Sequence, residues 1–383
     1  MNIKSFTFRN NTQNWQIEKV RFDNLNLLVG SSGAGKTTIL KALVLIFNVA
    51  QGKVLPLENL AWAIDFSHLG QDYRWEITTN SIQDSFSSEQ IRVEISEEKL
   101  IKFEDNTEIE ILHRSKTKSK LNGENLQKFK KTESAISLLA EEESIAPVTE
   151  AFKRFIVKVI PQELIPSIGV DPSNMHVLLD SEIEDSNYFI HLEKFKDMAA
   201  DAPTVLTAYY LEKIFPKTFD EIKDIYTGIF PNVEDVRVNA ELKSDNRYAL
   251  LIEILERGSA NWISQVEISS GMYRVLTCLI DILASPEESV VVIDEFENSL
   301  GINCMPQLTD FILDKSPNLQ FILTSHHPYI INNIPWETWQ LVSRTNGMIR
   351  ARKAIDIPAL DTASSLDKFT QLINFLVYEG GVA

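Results

Sequence analysis

Apolar and polar positions follow two periods along the chain, and the changes of period mark its organisation. Ile3–Phe8 and Leu25–Val29 read as strands, and the second ends on Gly30. From Lys36 to Val49, Leu40, Leu43, Val44 and Phe47 recur at helical spacing, so the chain opens as strand, glycine loop, helix. From about residue 72 the period becomes two. Tyr73, Trp75 and Ile77, then Ile91, Val93 and Ile95, then Ile109 and Ile111 alternate with polar neighbours, which predicts an antiparallel β-lobe. From Ser134 to about Ile225 the pattern is mostly helical, broken by the apolar run Phe155–Ile160 before Pro161-Gln162. Alternation returns at Val233–Leu242 and Tyr248–Leu255, and a short strand leads into Ile268. After a helix to Leu283, the fully apolar runs Val290–Ile293 and Gln320–Leu323 have the character of buried parallel strands. The last thirty or so residues read as a loop and a fraying helix.

These patterns predict an α/β fold with a mixed central sheet, an antiparallel β-lobe and a helical insertion. The expected divisions are residues 1–56, 57–112, 113–225, 226–345 and a tail at 346–383.

Charge restricts the partners. With 37 basic and 54 acidic residues the net charge is −17, so long-range electrostatics oppose binding of the whole molecule to a polyanion. Any nucleic-acid contact needs a local patch, and the segment carrying Arg114, Lys116, Lys118, Lys120, Lys128, Lys130 and Lys131 is the candidate. Alternation at 114–120 would place those charges on one face of a strand or loop, though a solvated surface accounts for most such runs. The acidic clusters Glu141–Glu143 and Asp180–Asp185 read as solvated faces. Two cysteines, Cys278 and Cys304, without CxxC spacing, and six histidines without HExxH spacing, argue against a structural zinc site and for a reducing compartment. No apolar run approaches the ~18 residues of a membrane span, and the N-terminus lacks the h-region of a secretory signal, so a cytoplasmic location without membrane contact is expected.

The chemistry concentrates at Gly30-Ser31-Ser32-Gly33-Ala34-Gly35-Lys36-Thr37, which fits GxxxxGK[ST] at every fixed position and lies between a predicted strand and helix. Such a P-loop wraps backbone N–H groups around phosphates at a helix N-terminus; Lys36 reaches the β- and γ-phosphates, and the Thr37 hydroxyl ligates Mg²⁺. Thr38 continues the same cradle. Val290-Val291-Val292-Ile293-Asp294-Glu295 ends a buried strand in two acids, with Asp294 suited to the Mg²⁺ and Glu295 to polarising the attacking water as general base.

With Ser269-Ser270-Gly271-Met272-Tyr273-Arg274, Asp294-Glu295-Phe296-Glu297-Asn298-Ser299-Leu300 and Thr324-Ser325-His326-His327-Pro328, the P-loop completes four motifs in one order. The chain thereby resembles the ABC-type ATPases of the SMC, RecF, RecN and OLD group, including the ATPases of bacterial anti-phage modules such as Septu, PARIS and OLD systems. The motifs span residues 30–328, while 113–225 contribute little. The resemblance implies that ATP is held in a head-to-tail dimer or higher assembly, with Ser269, Ser270 and Gly271 of one subunit closing over the P-loop of another. It implies a γ-phosphate sensor at His326, and a glutamine sensing Mg²⁺ and water, for which Gln162 fits best and Gln71 less well. His327 receives no role, and Gly301 stands where relatives often carry histidine.

Among the functions open to such an ATPase, a transporter subunit is disfavoured by the 258 positions between Lys36 and Asp294, and a long-armed chromosome ATPase by the lack of sustained heptads. No aspartate is followed two positions later by another, so a metal-dependent TOPRIM-type nuclease on this chain is not expected. What remains is a sensor or switch subunit controlling a separate nuclease or toxin, with a RecF- or SMC-like DNA clamp as the alternative.

Overall fold

The structure, a computed structural model, describes all residues except 54–57, 84–90, 106, 128–129, 159–167, 171–187, 201, 244–247, 362–367, 369 and 373–383. In chain order the strands and helices are β1 (Asn2–Asn10), β2 (Trp15–Arg21), β3 (Leu25–Val29), α1 (Lys36–Ala50), β4 (Leu60–His68), β5 (Gln71–Gln83), β6 (Ile91–Glu104), β7 (Thr107–Arg114), β8 (Ser119–Leu121), β9 (Glu124–Asn125), α2 (Ala135–Leu138), α3 (Ala146–Lys153) and β10 (Phe155–Lys158). They continue as β11 (Ile168–Val170), α4 (Tyr188–Ala199), α5 (Thr204–Ile214), α6 (Pro216–Ile229), β12 (Val233–Leu242), β13 (Tyr248–Glu256), β14 (Trp262–Ser264), α7 (Ser270–Leu283), β15 (Val290–Ile293), α8 (Met305–Lys315), β16 (Gln320–Thr324), α9 (Pro328–Asn333), β17 (Trp339–Thr345) and β18 (Met348–Lys353).

Two compact units result. The first comprises Met1–Val159, Glu288–Phe296 and Lys315–Ala383; the second comprises Ile160–Glu287 and Glu297–Asp314. In the first, a 14-stranded sheet among the described residues runs β10-β15-β16-β3-β17-β18-β2-β1-β4-β5-β6-β7-β8-β9. β10, β15, β16, β3 and β17 are parallel, and every residue of β3, β15 and β16 is buried, as strands covered on both faces require. From β1 to β9 the pairing is antiparallel. The strands of 57–112 therefore continue the central sheet. The segment 113–225 likewise divides, its part through β10 belonging to the first unit and its helices from Tyr188 to the second.

α1 forms because its apolar residues recur on one side, and it buries Ile39, Leu40, Leu43, Ile46 and Phe47. Phe47 stacks on Phe155 with centroids 3.5 Å apart and meets the edge of Phe152, which in turn packs against Phe66 and Trp75. This aromatic chain joins the helix behind the P-loop to the antiparallel strands in one core.

Two β-bulges correct the expected alternation. Ser96 is bypassed between Thr78–Glu97 and Thr79–Ile95, and Ile111 between Leu100–Leu112 and Ile101–Glu110. A bulge inverts which residues face the core beyond it. Glu98 and Arg114 thus become directly opposed partners on the buried face, 0% and 3% exposed, while Ile109, expected inside, is 40% exposed.

In the second unit β11, β13, β12 and β14 form a separate 4-stranded sheet, and α5 and α6 pack on it and on α7. Ser269 caps α7, its hydroxyl accepting from the Met272 N–H at 3.3 Å, and Val275, Leu276, Leu279, Ile280 and Leu283 form the buried stripe of that helix.

Candidate nucleotide site

Within the first unit, β15, β16 and β3 are adjacent and parallel, so their carboxyl ends share one edge of the sheet. The P-loop follows β3, Asp294-Glu295 follow β15, and Ser325-His326 follow β16. Carboxyl ends of parallel strands are where α/β folds place ligands. Sequence-distant motifs are thereby assembled by pairing of three buried strands.

Gly35 caps α1 with φ 104°, a conformation open to glycine at little cost, and from it the chain enters the helix with Gly35 O accepting from Ile39 N–H at 2.9 Å. Ser31, Ser32 and Gly33 are exposed, while Gly30, Ala34, Gly35 and Lys36 are buried. The Lys36 ammonium crosses the loop and donates to the carbonyls of Gly30 at 2.8 Å and Ser31 at 3.1 Å, so its charge lies inside the curve of the loop. Thr37 and Thr38 are half-buried in the first helical turn.

Three hydroxyl and carboxylate contacts join the strand ends. Thr37 Oγ1 donates to Asp294 Oδ1 at 3.3 Å, and Thr324 Oγ1 donates to the same oxygen at 2.5 Å. Thr324 Oγ1 in turn accepts from the Glu295 N–H at 2.7 Å, and the Phe296 N–H donates to Thr324 O at 2.9 Å. Glu295 is held at φ 47°, a left-handed conformation costing a non-glycine residue about 1–2 kcal/mol. Thr324 opposes that strain by fixing Asp294 and the Glu295 backbone together. In sequence, Thr324 opens the motif that carries His326, and its hydroxyl at the end of an apolar strand is the further signal of this role.

His326 is exposed immediately after β16. His327 is a helix cap: its Nδ1 accepts from the Tyr329 N–H at 3.2 Å, while its own N–H donates to Ser325 Oγ at 3.0 Å. Gln162 lies outside the described residues. Gln71 is excluded as its rival by position. It pairs with His68 across the β4–β5 turn, neighbouring Ser67 pairs with Asn2, and the Ile3 N–H donates to Gln320, the first residue of β16. That turn is therefore at the amino ends of the parallel strands, the edge opposite the P-loop, and the Gln71 amide is spent on the Phe103 carbonyl at 2.5 Å.

In the second unit, the exposed Ser269 and Ser270 begin α7, and Gly271 is packed so closely on the segment Glu297–Leu300 that a Cβ there would stand 2.3 Å from the Ser299 carbonyl oxygen. Burial pushes the Tyr273 phenol, two residues further on, up to about 12.

The proposed basic face is corrected. Arg114 is buried and donates to the Glu98 carboxylate at 2.5 Å, and burial pulls its pKa down against the pull of that partner. Residues 115–118 form a turn closed by Ser115 N–H to Lys118 O at 2.8 Å, so 114–120 is no single strand face. Lys130 and Lys131 face Glu133 and Glu94, at 3.0 and 3.3 Å. Lys116, Lys118 and Lys120 remain exposed on the hairpin, and Lys128 lies outside the described residues. Among the described residues, no helix is long and apolar enough to cross a membrane.

Comparison with known proteins agrees with this geometry. The family model described as "AAA domain, putative AbiEii toxin, Type IV TA system" matches residues 25–332. Curated protein sequences give no significant match. Among solved structures, an SMC head bound to the C-terminal winged-helix domain of ScpA has a TM-score of 0.50 at 14% identity, over 92% of this chain and 97% of that one. The SMC head domain from Thermotoga maritima gives 0.41 at 13% identity, over 92% and 99% of the two chains. An SMC head with an extended coiled coil, bound to the C-terminal domain of ScpA from Pyrococcus furiosus, gives 0.44 at 13%, over 98% and 99%. With a P-loop and an acidic strand end assembled on a sheet of the SMC-head type, and a family match over most of its length, the chain belongs to the AAA_21 family of AAA-domain P-loop ATPases.

Proposed function

We propose that the protein hydrolyses ATP with Mg²⁺ and that its nucleotide state switches a separate nuclease or toxin in a bacterial anti-phage module. The observation that carries the catalytic part is the convergence of the Thr37 and Thr324 hydroxyls on one oxygen of Asp294, with the Glu295 backbone fixed beside it through Thr324. A hydroxyl and a carboxylate are a donor set suited to Mg²⁺, which keeps waters and phosphate oxygens in its shell rather than filling it with protein groups. Thr37 and Asp294, with Gln162, would hold the ion, which would supply charge neutralisation for the phosphates when bound.

Gly30 to Thr38 hold the phosphates through backbone N–H groups and the Lys36 ammonium. Glu295 takes the proton of the attacking water, and His326 senses the γ-phosphate. Ser269, Ser270 and Gly271, at the N-terminus of α7, close over the nucleotide of a second copy in a head-to-tail dimer. Glu295→Gln should keep ATP affinity and lose hydrolysis by about 10²–10⁴-fold, the usual contribution of general-base catalysis. Phosphate release from saturating Mg-ATP measures it, and a wild-type rate in that variant would remove Glu295 from the role.

The defence reading is supported by the family's description, which names an AbiEii toxin and a type IV toxin–antitoxin system. A separate protein partner is supported by the SMC head of the same fold, which binds ScpA. A cytoplasmic location is part of the same reading, supported by the two unbridged cysteines, Cys278 and Cys304. Co-expression with the products of flanking genes, followed by native mass with and without Mg-ATP, tests the partner: a nucleotide-sensitive complex with a nuclease or toxin is expected, and a chain that purifies alone in both conditions would contradict it. DNA contact is confined to Lys116, Lys118 and Lys120. Replacing all three with Glu should lower the log–log salt slope of DNA binding by roughly 3; an unchanged slope would make the hairpin a solvated surface.

A further inference from the structure

The family match ends at residue 332, yet the hairpin β17–β18, at 339–353, lies directly against the P-loop. A Cβ on Gly30 would stand 2.5 Å from the Val342 carbonyl oxygen of β17. A Cβ on Gly35 would stand 2.8 Å from Cδ1 and 3.1 Å from Cγ2 of Ile349 on β18. The first and last glycines of the loop are thus each in contact with a fixed part of this hairpin, and Ile349 is fully buried.

The hairpin is itself tied down at three places. β17 pairs in parallel with β3 through Trp339–Leu27, Gln340–Leu28 and Leu341–Val29, so Val342 follows directly on the register that ends where the P-loop begins. β18 joins β2 through Met348–Gln16 and Ile349–Ile17. Its turn is pinned as well: the Gln16 N–H donates to Gly347 O at 2.9 Å, and a Cβ on Gly347 would stand 2.6 Å from Asn14 O. A phosphate cradle made of backbone N–H groups binds only as well as those groups are aimed, and the Lys36 ammonium ties only the Gly30–Ser31 end of the loop, not Gly35.

We infer that Ile349 is a positioning residue for nucleotide binding, acting through Gly35 to hold the start of α1 and its N–H groups in register with the phosphates. The inference rests on the ATP-binding reading of the P-loop. Its signature is size dependence: Ile349→Ala opens a gap under Gly35, whereas Ile349→Val keeps the β-branched contact and loses one methyl group.

The test is equilibrium binding of a fluorescent ATP analogue with Mg²⁺, measured beside the melting temperature without nucleotide and kcat at saturating ATP, for the wild type, Lys36→Ala, Ile349→Val and Ile349→Ala. Ile349→Ala should weaken binding about tenfold per folded molecule and raise KM in parallel, with kcat within about twofold; Ile349→Val should stay within about threefold in affinity. If Ile349→Ala lowers the melting temperature while affinity stays at the wild-type value, Ile349 is only a core residue and the inference is overturned. If that protein does not fold, Ile349→Leu, which removes the β-branch beneath Gly35, carries the test: a loss of affinity with an unchanged melting temperature sustains the inference, and unchanged affinity overturns it. A wild type that binds no more analogue than Lys36→Ala overturns the ATP reading itself, which separates that failure from the failure of the brace.

Discussion

Lys36→Ala is expected to abolish nucleotide binding and with it every ATP-dependent behaviour of the protein. The ammonium is buried inside the loop and donates to the carbonyls of Gly30 and Ser31, so it is already aimed where the β- and γ-phosphates would be. Hydrogen bonds between charged partners contribute about 1.5–3 kcal/mol each, and two of them correspond to a loss of at least roughly 150-fold in Kd. The same substitution leaves the backbone conformation of Gly33 and Gly35 untouched, so the fold should persist. Calorimetric titration with Mg-ATP checks this; an affinity within threefold of the wild type would mean that the loop is not a phosphate site.

The second large effect is on stability. Glu98 is fully buried, and its carboxylate accepts from Arg114 at 2.5 Å, Trp75 Nε1 at 3.1 Å, Ser134 Oγ at 2.9 Å and the Ala135 N–H at 2.8 Å. It ties β6 to β7 and to the N-terminus of α2, where a negative charge also opposes the orphaned N–H groups of the helix. Glu98→Ala leaves the Arg114 charge buried without its carboxylate and strands three further donors. Breaking a buried pair from one side costs about 3–5 kcal/mol, or roughly 6–20 °C in melting temperature for a unit of this size. Glu98→Gln, which keeps one acceptor oxygen and turns an NH2 donor toward the donors of the other, should fall between. Thermal unfolding followed by circular dichroism measures all three proteins, and a Glu98→Ala shift below about 3 °C would show that the hub does not bear on stability.

This hub also shows where the sequence stops being legible. Ile109 and Ile111 alternate as a strand should, and from that parity Arg114 belongs outside among other basic residues. Bulges at Ser96 and Ile111 invert the parity, and nothing in a count of apolar positions announces a bulge. The buried parallel strands were legible for the opposite reason. Leu25–Val29 and Val290–Ile293 have the bounds that the pattern predicts, because a short, mostly apolar run has few other uses; the antiparallel β12 also spans Val233–Leu242, as its alternation predicts. β2 was missed because only Ile17 and Val20 in it are buried. β4 alternates in burial without a break, but its outward positions include Ala61 and Ala63, which blur the polar half of the pattern.

The hairpin β17–β18 had a signal that went unused. Asn346-Gly347 takes φ values of 49° and 79°, the left-handed pair of a type I′ turn, and Asn-Gly between two β-prone runs is a strong hairpin signal. The candidate nucleotide site was legible at the P-loop and at Asp294-Glu295, where spacing and residue type suit that chemistry. Thr324 and Ile349 were not, since a threonine at a strand end and an isoleucine in a strand acquire their meaning only from what the sheet places beside them.

The light-scattering mass of Glu295→Gln protein with and without Mg-ATP tests the composite site most directly. A mass that doubles with Mg-ATP, and returns when ATP is replaced by ADP, is the predicted result, since it requires a competent P-loop, a base that has been disabled, and a signature from a second copy closing the site. A protein that binds Mg-ATP and keeps the mass of 43.5 kDa would contradict the composite site.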